Sequence, residues 1–383
     1  MTALVAVIHV LGWAAAALGA VGCAYALAAA LFVGRLAGRP AGRADSPPDA
    51  TLLKPLHGDE PGLADNLESF LAQDYPSQVQ LVAGVQDPAD PAIGVVRALQ
   101  AAHPGQDVEL VVDAAEHGAN RKISNVVNIA ARAKHPLLVL SDSDIRVGPH
   151  YLAAVAAALA EPGAGAVTCL YVGRPAAGLW SQLAAMAISY NFLPNAALGS
   201  SIGMAQPCFG STIAMTADTL ARIGGYGAFA GHLADDYEIG RAVRALGLRV
   251  AIPPLAVEHL CAEASLGELI EHELRWGLTI RLIDTAGYAG SVVTHPLPFA
   301  LIALALTGLA PAAMCLVLAA LLARLVLKLQ VDARCGARSG PWYLLPLRDM
   351  LSFGVFLASF LTRTVGWRGR RFDVRPDGLL TGS

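Results

Sequence analysis

Two carboxylates, Asp142 and Asp144, directly follow the apolar run Leu137–Leu140. Four apolar residues predict a buried strand, and residues spaced i, i+2 point to the same side of an extended segment. In a parallel α/β sheet, ligands collect at the carboxyl ends of the strands. Two acids this close repel each other unless a cation lies between them, and carboxylate oxygens suit Mg²⁺ or Mn²⁺ beside a diphosphate. The pair therefore predicts a nucleotide-sugar site, with a solvated loop or a helix N-cap as the alternative.

Three further clusters carry groups that could act there. Asp87 follows another predicted strand, where its carboxylate can accept from a uracil N–H or a ribose hydroxyl; an ordinary Asp-Pro turn is the alternative. Asp235 and Asp236 follow a glycine-rich loop, and adjacent acids at a helix start also serve as N-caps. Arg275 and Trp276 lie late in a helical pattern, where a guanidinium can pair with a pyrophosphate while an indole stacks. The alternative for this last pair is a surface Arg beside a core Trp.

Short apolar runs alternate with helical patterns in the part of the chain that carries these groups. The apolar runs predict strands at 51–53, 79–85, 108–112 and 137–140. The helical patterns predict helices at 63–71, 92–102, 123–131 and 151–159. Alternation of this kind predicts βαβ units and a parallel sheet, so we expect one α/β domain over residues 50–285.

The ends of the chain are depleted in charge. Only 15% of the 383 residues are charged, against roughly 25% in a soluble domain. Residues 3–33 contain no Lys, Arg, Asp or Glu, and about 20 apolar residues suffice to cross a bilayer. No basic residue precedes Arg35, which disfavours a cleaved signal peptide. We predict a transmembrane anchor at 1–34, and the positive-inside rule places the residues after it in the cytoplasm.

The C-terminal part contains two more apolar blocks. The first, residues 297–329, is interrupted by Gly308 and Pro311, so it could form one tilted helix or a hairpin of two short helices. The second, residues 342–362, carries Arg348 and Asp349, which we expect at an interface because intramembrane charge is costly. We predict membrane helices over 293–365 and a basic cytoplasmic tail over 366–383, and the number of spans stays open.

Residues 178–198 form a broad apolar helical face with almost no charge. Such a helix is either buried in a core or lies in the membrane interface, where Trp and Tyr are well placed. An enzyme that acts on a lipid needs a surface of the second kind.

The cysteines and the charge pattern exclude other classes. The six cysteines are scattered without a CxxC pair, which argues against disulfides and structural zinc. No basic stripe with interleaved aromatics is present, so nucleic-acid binding is not expected.

The order of these elements resembles the membrane family-2-like glycosyltransferases with a GT-A fold, and within them the ceramide glucosyltransferase family. The resemblance is carried by residues 53–58 (LKPLHG), 66–70 (NLESF), 73–76 (QDYP), 85–93 (VQDPADPAI), 122–125 (KISN), 142–147 (DSDIRV), 224–225 (GG) and 367–372 (WRGRRF). A bacterial branch associated with hopanoid biosynthesis is similar in length and layout. Two positions depart from the family pattern: His272 replaces Gln or Arg before the Arg-Trp pair, and Asp235 replaces Glu.

The resemblance implies a GT-A (Rossmann-like) α/β domain and a role for each matched residue. Asp236 would be the catalytic base, and Asp144 with help from Asp142 would hold Mg²⁺ or Mn²⁺. The remaining matched residues would hold the UDP-sugar donor; they are Asp87, Lys54, Lys122, Asp142, Arg275 and Trp276.

The implied reaction is an inverting transfer of glucose or N-acetylglucosamine from a UDP-sugar to the hydroxyl of a membrane lipid, either ceramide or bacteriohopanetetrol. The Ala-, Gly- and Arg-rich composition favours a bacterial inner-membrane enzyme with a cytoplasmic catalytic domain. A processive polysaccharide synthase, or a non-catalytic scaffold or carrier with a GT-A shell, is the alternative. The sequence leaves the oligomeric state open.

Overall fold

A long helix, α1 (Thr2–Ala37), precedes the sheet in this computed structural model. The structure describes residues 2–40, 42, 44, 46–361, 364–367, 370–374 and 380–382, the last three ranges by backbone alone. At 36 residues and 1.5 Å per residue, α1 is about 54 Å long and exceeds the roughly 30 Å hydrocarbon thickness of a bilayer. The helix extends three residues beyond the predicted end of the anchor.

The middle of the chain alternates strands and helices, as predicted. The strands are β1 (Ala50–Pro55), β2 (Val79–Val85), β3 (Asp107–Val112), β4 (Leu137–Leu140), β5 (Ile145–Arg146), β6 (Ala164–Val167), β7 (Leu170–Pro175), β8 (Ile213–Thr216), β9 (Arg249–Ala251) and β10 (Ala256–Cys261). The helices among them are α2 (Leu63–Leu71), α3 (Ala92–Ala102), α4 (Arg121–Ala130), α5 (Tyr151–Leu159), α6 (Gly178–Ala187), α7 (Leu193–Ser201), α8 (Ala217–Arg222), α9 (Asp235–Ala245) and α10 (Leu266–Ile283).

Seven strands form one sheet in the order β3-β2-β1-β4-β8-β6-β9. Strand β1 pairs in parallel with both β2 and β4, so the carboxyl ends of these strands share one edge. Strand β8 runs antiparallel to β4, and a smaller sheet has the order β5-β10-β7. The parallel part of the sheet therefore places the residues after β2 and β4 on the same side of the domain.

Side chains alternate between two cores on the faces of the large sheet. Leu52 of β1 and Val139 of β4 pack in a cluster with α2, α3 and α5. Leu53 and Leu138, their neighbours in sequence, pack in a second cluster with α4 and α9. All four residues of β4 are buried, and burial stabilises each such side chain by about 1.5–3 kcal/mol. Because helices cover both faces of the sheet at β4, side chains pointing either way are buried, and this explains why β4 is apolar throughout.

Most of the apolar segment 178–198 is buried, although Leu179 at its start is 43% exposed, which favours the first of its two predicted interpretations. Helix α6 continues through a π-helical turn, Ile188–Phe192, into α7. This rod packs in one cluster with residues of α1 and α13 (Pro311–Cys335), including Leu193 and Leu327. The rod therefore connects the α/β domain to the long apolar helices α1 and α13.

The first C-terminal apolar block forms a hairpin. After α11 (Thr285–Gly290), the short helix α12 (Pro296–Leu306) precedes α13. Gly308 and Leu309 have φ angles of 67° and 64°, left-handed values that reverse the chain. Helices α1 and α13 are each long and apolar enough to cross a membrane. Among the described residues, the segments 285–294 and 296–306 would form a third span if they crossed as one unit, despite the 63° bend between them.

The second apolar block forms α14 (Leu345–Ser359), which follows a 3₁₀ turn at Trp342–Leu344. Arg348 and Asp349 are 0% and 4% exposed, so both side chains lie inside the protein; their expected position at a membrane interface stays a prediction. Beyond α14, β11 (Thr364–Trp367), β12 (Arg370–Val374) and β13 (Leu380–Gly382) pair antiparallel. The side chains of the predicted basic tail, 366–383, lie outside the described residues.

Candidate active site

Charged side chains from four elements converge on a polar cavity of about 250 Å³. Asp142 and Asp144 reach it because they follow β4, and Asp235 and Asp236 reach it from the first turn of α9. The other predicted site residues that line it are Lys122, Arg275 and Trp276. Three clusters that are more than 30 residues apart in sequence therefore meet at the carboxyl edge of the sheet, where ligands bind in α/β folds.

Lys122 links the two acidic clusters. It lies in the first turn of α4, whose N-cap Asn120 accepts a hydrogen bond from the backbone of Ile123. Its Nζ lies 2.7 Å from Oδ1 of Asp142 and 3.6 Å from Oδ2 of Asp235. Burial acts to lower the pKa of Lys122, but the two carboxylates outweigh it and raise that pKa above its usual range. The ammonium therefore stays charged beside the acids.

Asp236 is held by the backbone at both carboxylate oxygens. Oδ1 accepts from the N–H of Tyr237 at 2.7 Å, and Oδ2 accepts from the N–H of Gly210 at 3.1 Å. Burial and the neighbouring charge of Asp235 raise the pKa of Asp236 to about 6, although Lys122 and the Tyr237 hydrogen bond oppose the rise. A carboxylate with this pKa is ionised at neutral pH and is still basic enough to accept a proton.

Asp144 faces a histidine that the sequence pattern did not reveal. Nδ1 of His259, on β10, lies 3.5 Å from Oδ1 of Asp144. That oxygen is buried and accepts no hydrogen bond from the described residues. His259 also lines the polar cavity. A lone His in a strand carries no local signal, so only the pairing of β5 with β10, which brings His259 opposite Ile145, places it here.

Helix α10 brings the Arg-Trp pair to the cavity. The ring of His272 contacts the ring of Trp276 edge-on, with centroids 4.4 Å apart. Nδ1 of His272 also lies 2.7 Å from Oε1 of Glu263. The residue that departs from the family pattern therefore fixes the indole, while Arg275 and Trp276 both line the cavity.

Two of the predicted donor residues do not line the polar cavity. Lys54 is fully buried, and its Nζ donates to the carbonyl of Asp142 and to Oγ of Ser141. Burial lowers the pKa of Lys54 to about 7, against the attraction of Asp142. Asp87 is exposed after β2, and its Oδ1 accepts from the N–H of Ala89 within the Asp-Pro turn. Lys54 thus supports the Asp142 loop from beneath, and Asp87 lies at the same sheet edge but farther out.

An apolar cavity of about 530 Å³ adjoins the polar one. Asp236, Trp276 and Thr279 line both. Most of the walls of the apolar cavity are aromatic and aliphatic side chains from β7, the rod, the loop after it and α10; they include Tyr171, Phe192, Met204, Phe209, Ile280 and Ile283. The site therefore offers a charged chamber and an apolar chamber that meet at one carboxylate.

An α/β sheet with acidic residues at its carboxyl edge, joined to long apolar helices, defines a membrane-associated glycosyltransferase of the GT-A class. The sequence profile of glycosyl transferase family 21 matches residues 14–380, so the chain belongs to that family. The predicted fold class, enzyme class and resemblance to the ceramide glucosyltransferase family are thereby confirmed.

Curated relatives and one solved structure agree with this assignment. Ceramide glucosyltransferase 1 of Caenorhabditis elegans is 26% identical over 206 residues, which cover 54% of this chain and 44% of the relative. A ceramide glucosyltransferase of Candida albicans is 30% identical over 106 residues, covering 25% of this chain and 20% of the relative. The chain thus aligns with less than half of the length of these relatives. The mannosyltransferase PcManGT from Pyrobaculum calidifontis, solved with GDP-Man and Mn²⁺, has a similar fold with a TM-score of 0.52, 21% identity, and coverage of 92% of this chain and 98% of its own.

Proposed function

We propose that this chain is an inverting membrane glycosyltransferase that moves a hexose from a UDP-sugar to the hydroxyl of a membrane lipid. The observation that carries the proposal is the position of Asp236, which lines both the polar and the apolar cavity. The charged chamber suits a nucleoside diphosphate, and the apolar chamber suits the approach of a lipid hydroxyl. A base at their junction is where a proton has to be removed during transfer.

The transfer is a single displacement at the anomeric carbon. The acceptor oxygen forms a bond to that carbon as the bond to the β-phosphate oxygen breaks, and UDP leaves with the electron pair. Asp236 takes the proton of the acceptor hydroxyl, directly or through one water. Because attack and departure occur on opposite faces, an α-linked donor gives a β-linked product. Arg275 supplies positive charge to the departing diphosphate, and Trp276 closes the junction.

The acidic residues fit a divalent cation that binds together with the donor. The orphaned Oδ1 of Asp144 and the adjacent His259 would hold it, with Asp142 close by. No group of three or more His, Cys, Asp or Glu forms a ready metal cage in the described part of the chain, which agrees with an ion that takes its other ligands from phosphates and water. When bound, Mg²⁺ or Mn²⁺ neutralises charge on the diphosphate. The Mn²⁺ in the mannosyltransferase structure supports this choice.

The remaining predicted donor residues take supporting roles in the proposal. Asp87 would accept from the nucleoside, because it lies beyond the polar cavity on the same sheet edge. Lys122 would keep the two acidic clusters in place beside the diphosphate, and Lys54 would hold the Asp142 loop.

The acceptor is a polar-headed lipid of the leaflet that the catalytic domain faces. The ceramide glucosyltransferase relatives support ceramide, and the resemblance to the bacterial branch supports bacteriohopanetetrol, with glucose or N-acetylglucosamine as the sugar. Arg35 in the last turn of α1, with Arg39 and Arg43 after it in the sequence, supports a multi-pass bacterial inner-membrane protein with a cytoplasmic catalytic domain.

The test is product formation by the purified protein in detergent. UDP-glucose and UDP-N-acetylglucosamine are offered in parallel with ceramide and with bacteriohopanetetrol, and glycolipid is measured by mass spectrometry. The proposal expects one glycolipid product, formed about 10²–10⁴-fold more slowly by Asp236→Asn. UDP release without glycolipid from either lipid would contradict the acceptor class, and a polymeric product would favour a processive synthase.

A further inference from the structure

Helix α14 buries two consecutive charges, Arg348 and Asp349. Taking an ion out of water costs several kcal/mol, and a buried ion pair is often no more stabilising than apolar residues of the same volume. Consecutive residues of a helix point about 100° apart, so the two side chains face different neighbours. Arg348 faces Glu273 of α10, which lines the proposed active site, and Asp349 faces Arg324 of α13, which in turn contacts the rod beside the apolar cavity.

Arg348 clamps the helix that carries the Arg-Trp pair. Its Nη1 and Nη2 donate to the two carboxylate oxygens of Glu273 at 2.7 and 2.8 Å, and Nη1 also lies 3.2 Å from the carbonyl of Leu183. Glu273 is two residues before Arg275 on α10. A two-pronged guanidinium–carboxylate contact fixes orientation as well as distance. The pair therefore sets the rotation of α10 where Arg275 and Trp276 enter the cavity.

Asp349 acts through Arg324 on the π-helical turn. Nε of Arg324 donates to both oxygens of Asp349 at 3.0 and 2.9 Å. Its Nη1 donates to the carbonyl of Tyr190 at 2.8 Å, and its Nη2 donates to Oδ1 of Asn191 at 2.5 Å. A π-helical turn shifts the backbone register, and such turns are frequent at functional sites. The residue after Asn191 is Phe192, which lines the apolar cavity.

Ser352, one turn along α14, joins the two ion pairs. Its Oγ accepts from Nδ2 of Asn191 at 2.7 Å and from Nε of Arg348 at 3.1 Å. One face of α14 thus contacts α10, α13 and the π-helical turn at once through polar atoms.

We propose that Arg348 and Asp349 are positioning residues of the transferase: Arg348 fixes the donor-side helix through Glu273, and Asp349 fixes the acceptor-side turn through Arg324. The inference rests on the proposed function, which assigns the polar chamber to the donor and the apolar chamber to the lipid. It assigns different roles to two adjacent residues, neither of which lines the polar or the apolar chamber.

The test uses two double variants of the full chain in detergent. Glu273→Met with Arg348→Met removes one pair and leaves neither charge unpaired, so the melting temperature should change little. Its KM for the UDP-sugar should rise about tenfold while the KM for the lipid changes less than about threefold. Arg324→Met with Asp349→Met should give the reverse split, because it releases the turn that carries Phe192.

A surface pair provides the matched control. Nη2 of Arg249 lies 2.6 Å from Oε2 of Glu161, and both side chains are exposed. The double variant Glu161→Met with Arg249→Met should therefore leave both KM values unchanged. If either double variant fails to fold, Arg348→Lys and Asp349→Asn replace it, with the same split expected at smaller amplitude. Three results would overturn the proposal: unchanged KM values in folded variants, equal changes in both KM values, or loss of folding even in the conservative variants.

Failure of the proposed function itself gives a different result. In that case the unaltered protein makes no glycolipid with any acceptor. The proposed role of Arg348 can still be tested without product formation, by calorimetric titration of UDP in the presence of Mn²⁺. The double variant Glu273→Met with Arg348→Met should bind UDP about tenfold more weakly. Unchanged UDP affinity would overturn that role.

Discussion

Replacing Asp236 with Asn removes the proposed base and should cost about 10²–10⁴-fold in turnover, the usual worth of general-base catalysis. The substitution keeps the shape of the side chain, and Oδ1 can still accept the 2.7 Å hydrogen bond from Tyr237. UDP binding should therefore remain within about threefold of the unaltered protein, because the lost charge is one among several around the diphosphate.

The raised pKa of Asp236 makes the pH profile a second, independent readout. With a pKa of about 6, about nine-tenths of the carboxyl groups are ionised at pH 7 and about one-tenth at pH 5. Only the ionised form accepts a proton, so the rate should be full above the pKa and should fall about tenfold per pH unit below it. Asp236→Asn should abolish this acid limb and leave a flat residual rate.

Asp235→Asn is the matched control. The charge of Asp235 helps to raise the pKa of Asp236, so removing it should shift the acid limb to lower pH. The maximal rate should stay within about threefold, since the amide oxygen can still accept from Asn120. Glycolipid formation is measured by mass spectrometry from about pH 4.5 to about pH 8, with UDP binding by calorimetry. Near-normal turnover in Asp236→Asn, or an acid limb that survives in it, would refute the assignment.

Three further substitutions test the metal site, the indole contact and the fold. Asp144→Asn should weaken Mn²⁺-dependent UDP binding about tenfold or more in calorimetry, and unchanged affinity would exclude Asp144 as a ligand. His272→Ala removes the 4.4 Å ring contact with Trp276 and should lower kcat about 3–10-fold; it should also lower the melting temperature, because Glu263 loses its 2.7 Å partner. Full activity in the folded variant would contradict that role. Gly173→Ala places Cβ 2.4 Å from Cα of Ala185 and should cost about 1–3 kcal/mol of unfolding free energy, whereas Gly94→Ala, with open space around it, should not destabilise.

The regular elements of the catalytic domain could be predicted from local pattern. The bounds of β2, β4, α2, α3 and α5 agree with the sequence prediction to the residue. In these elements, apolar residues recur at the spacing that the helix or strand requires, and turn-forming residues lie at both ends. The membrane hairpin was predictable only as an alternative, because Gly308 and Pro311 permit a reversal without requiring one.

The candidate site was predictable in its residue types and less so in its geometry. Asp142, Asp144 and Asp236 line one cavity, as the strand-end argument and the family resemblance predicted. Lys54 was expected to hold the donor; it lies beneath the Asp142 loop, because β1 is covered on both faces and buries every side chain, and its effect on donor binding stays a prediction. Asp87 lies in an Asp-Pro turn, so its contact with the nucleoside stays a prediction.

The sequence by itself determined the strand-end carboxylates, the alternation of strands and helices and the two apolar ends, because each depends on residues a few positions apart. Only the tertiary structure decided that His259 faces Asp144, that the two chambers meet at Asp236, and that Arg348 binds Glu273, 75 residues away in sequence. Contacts at such separations depend on how whole elements pack, and no local period encodes them. A charge in an apolar helix predicts that a partner exists, and packing decides which one.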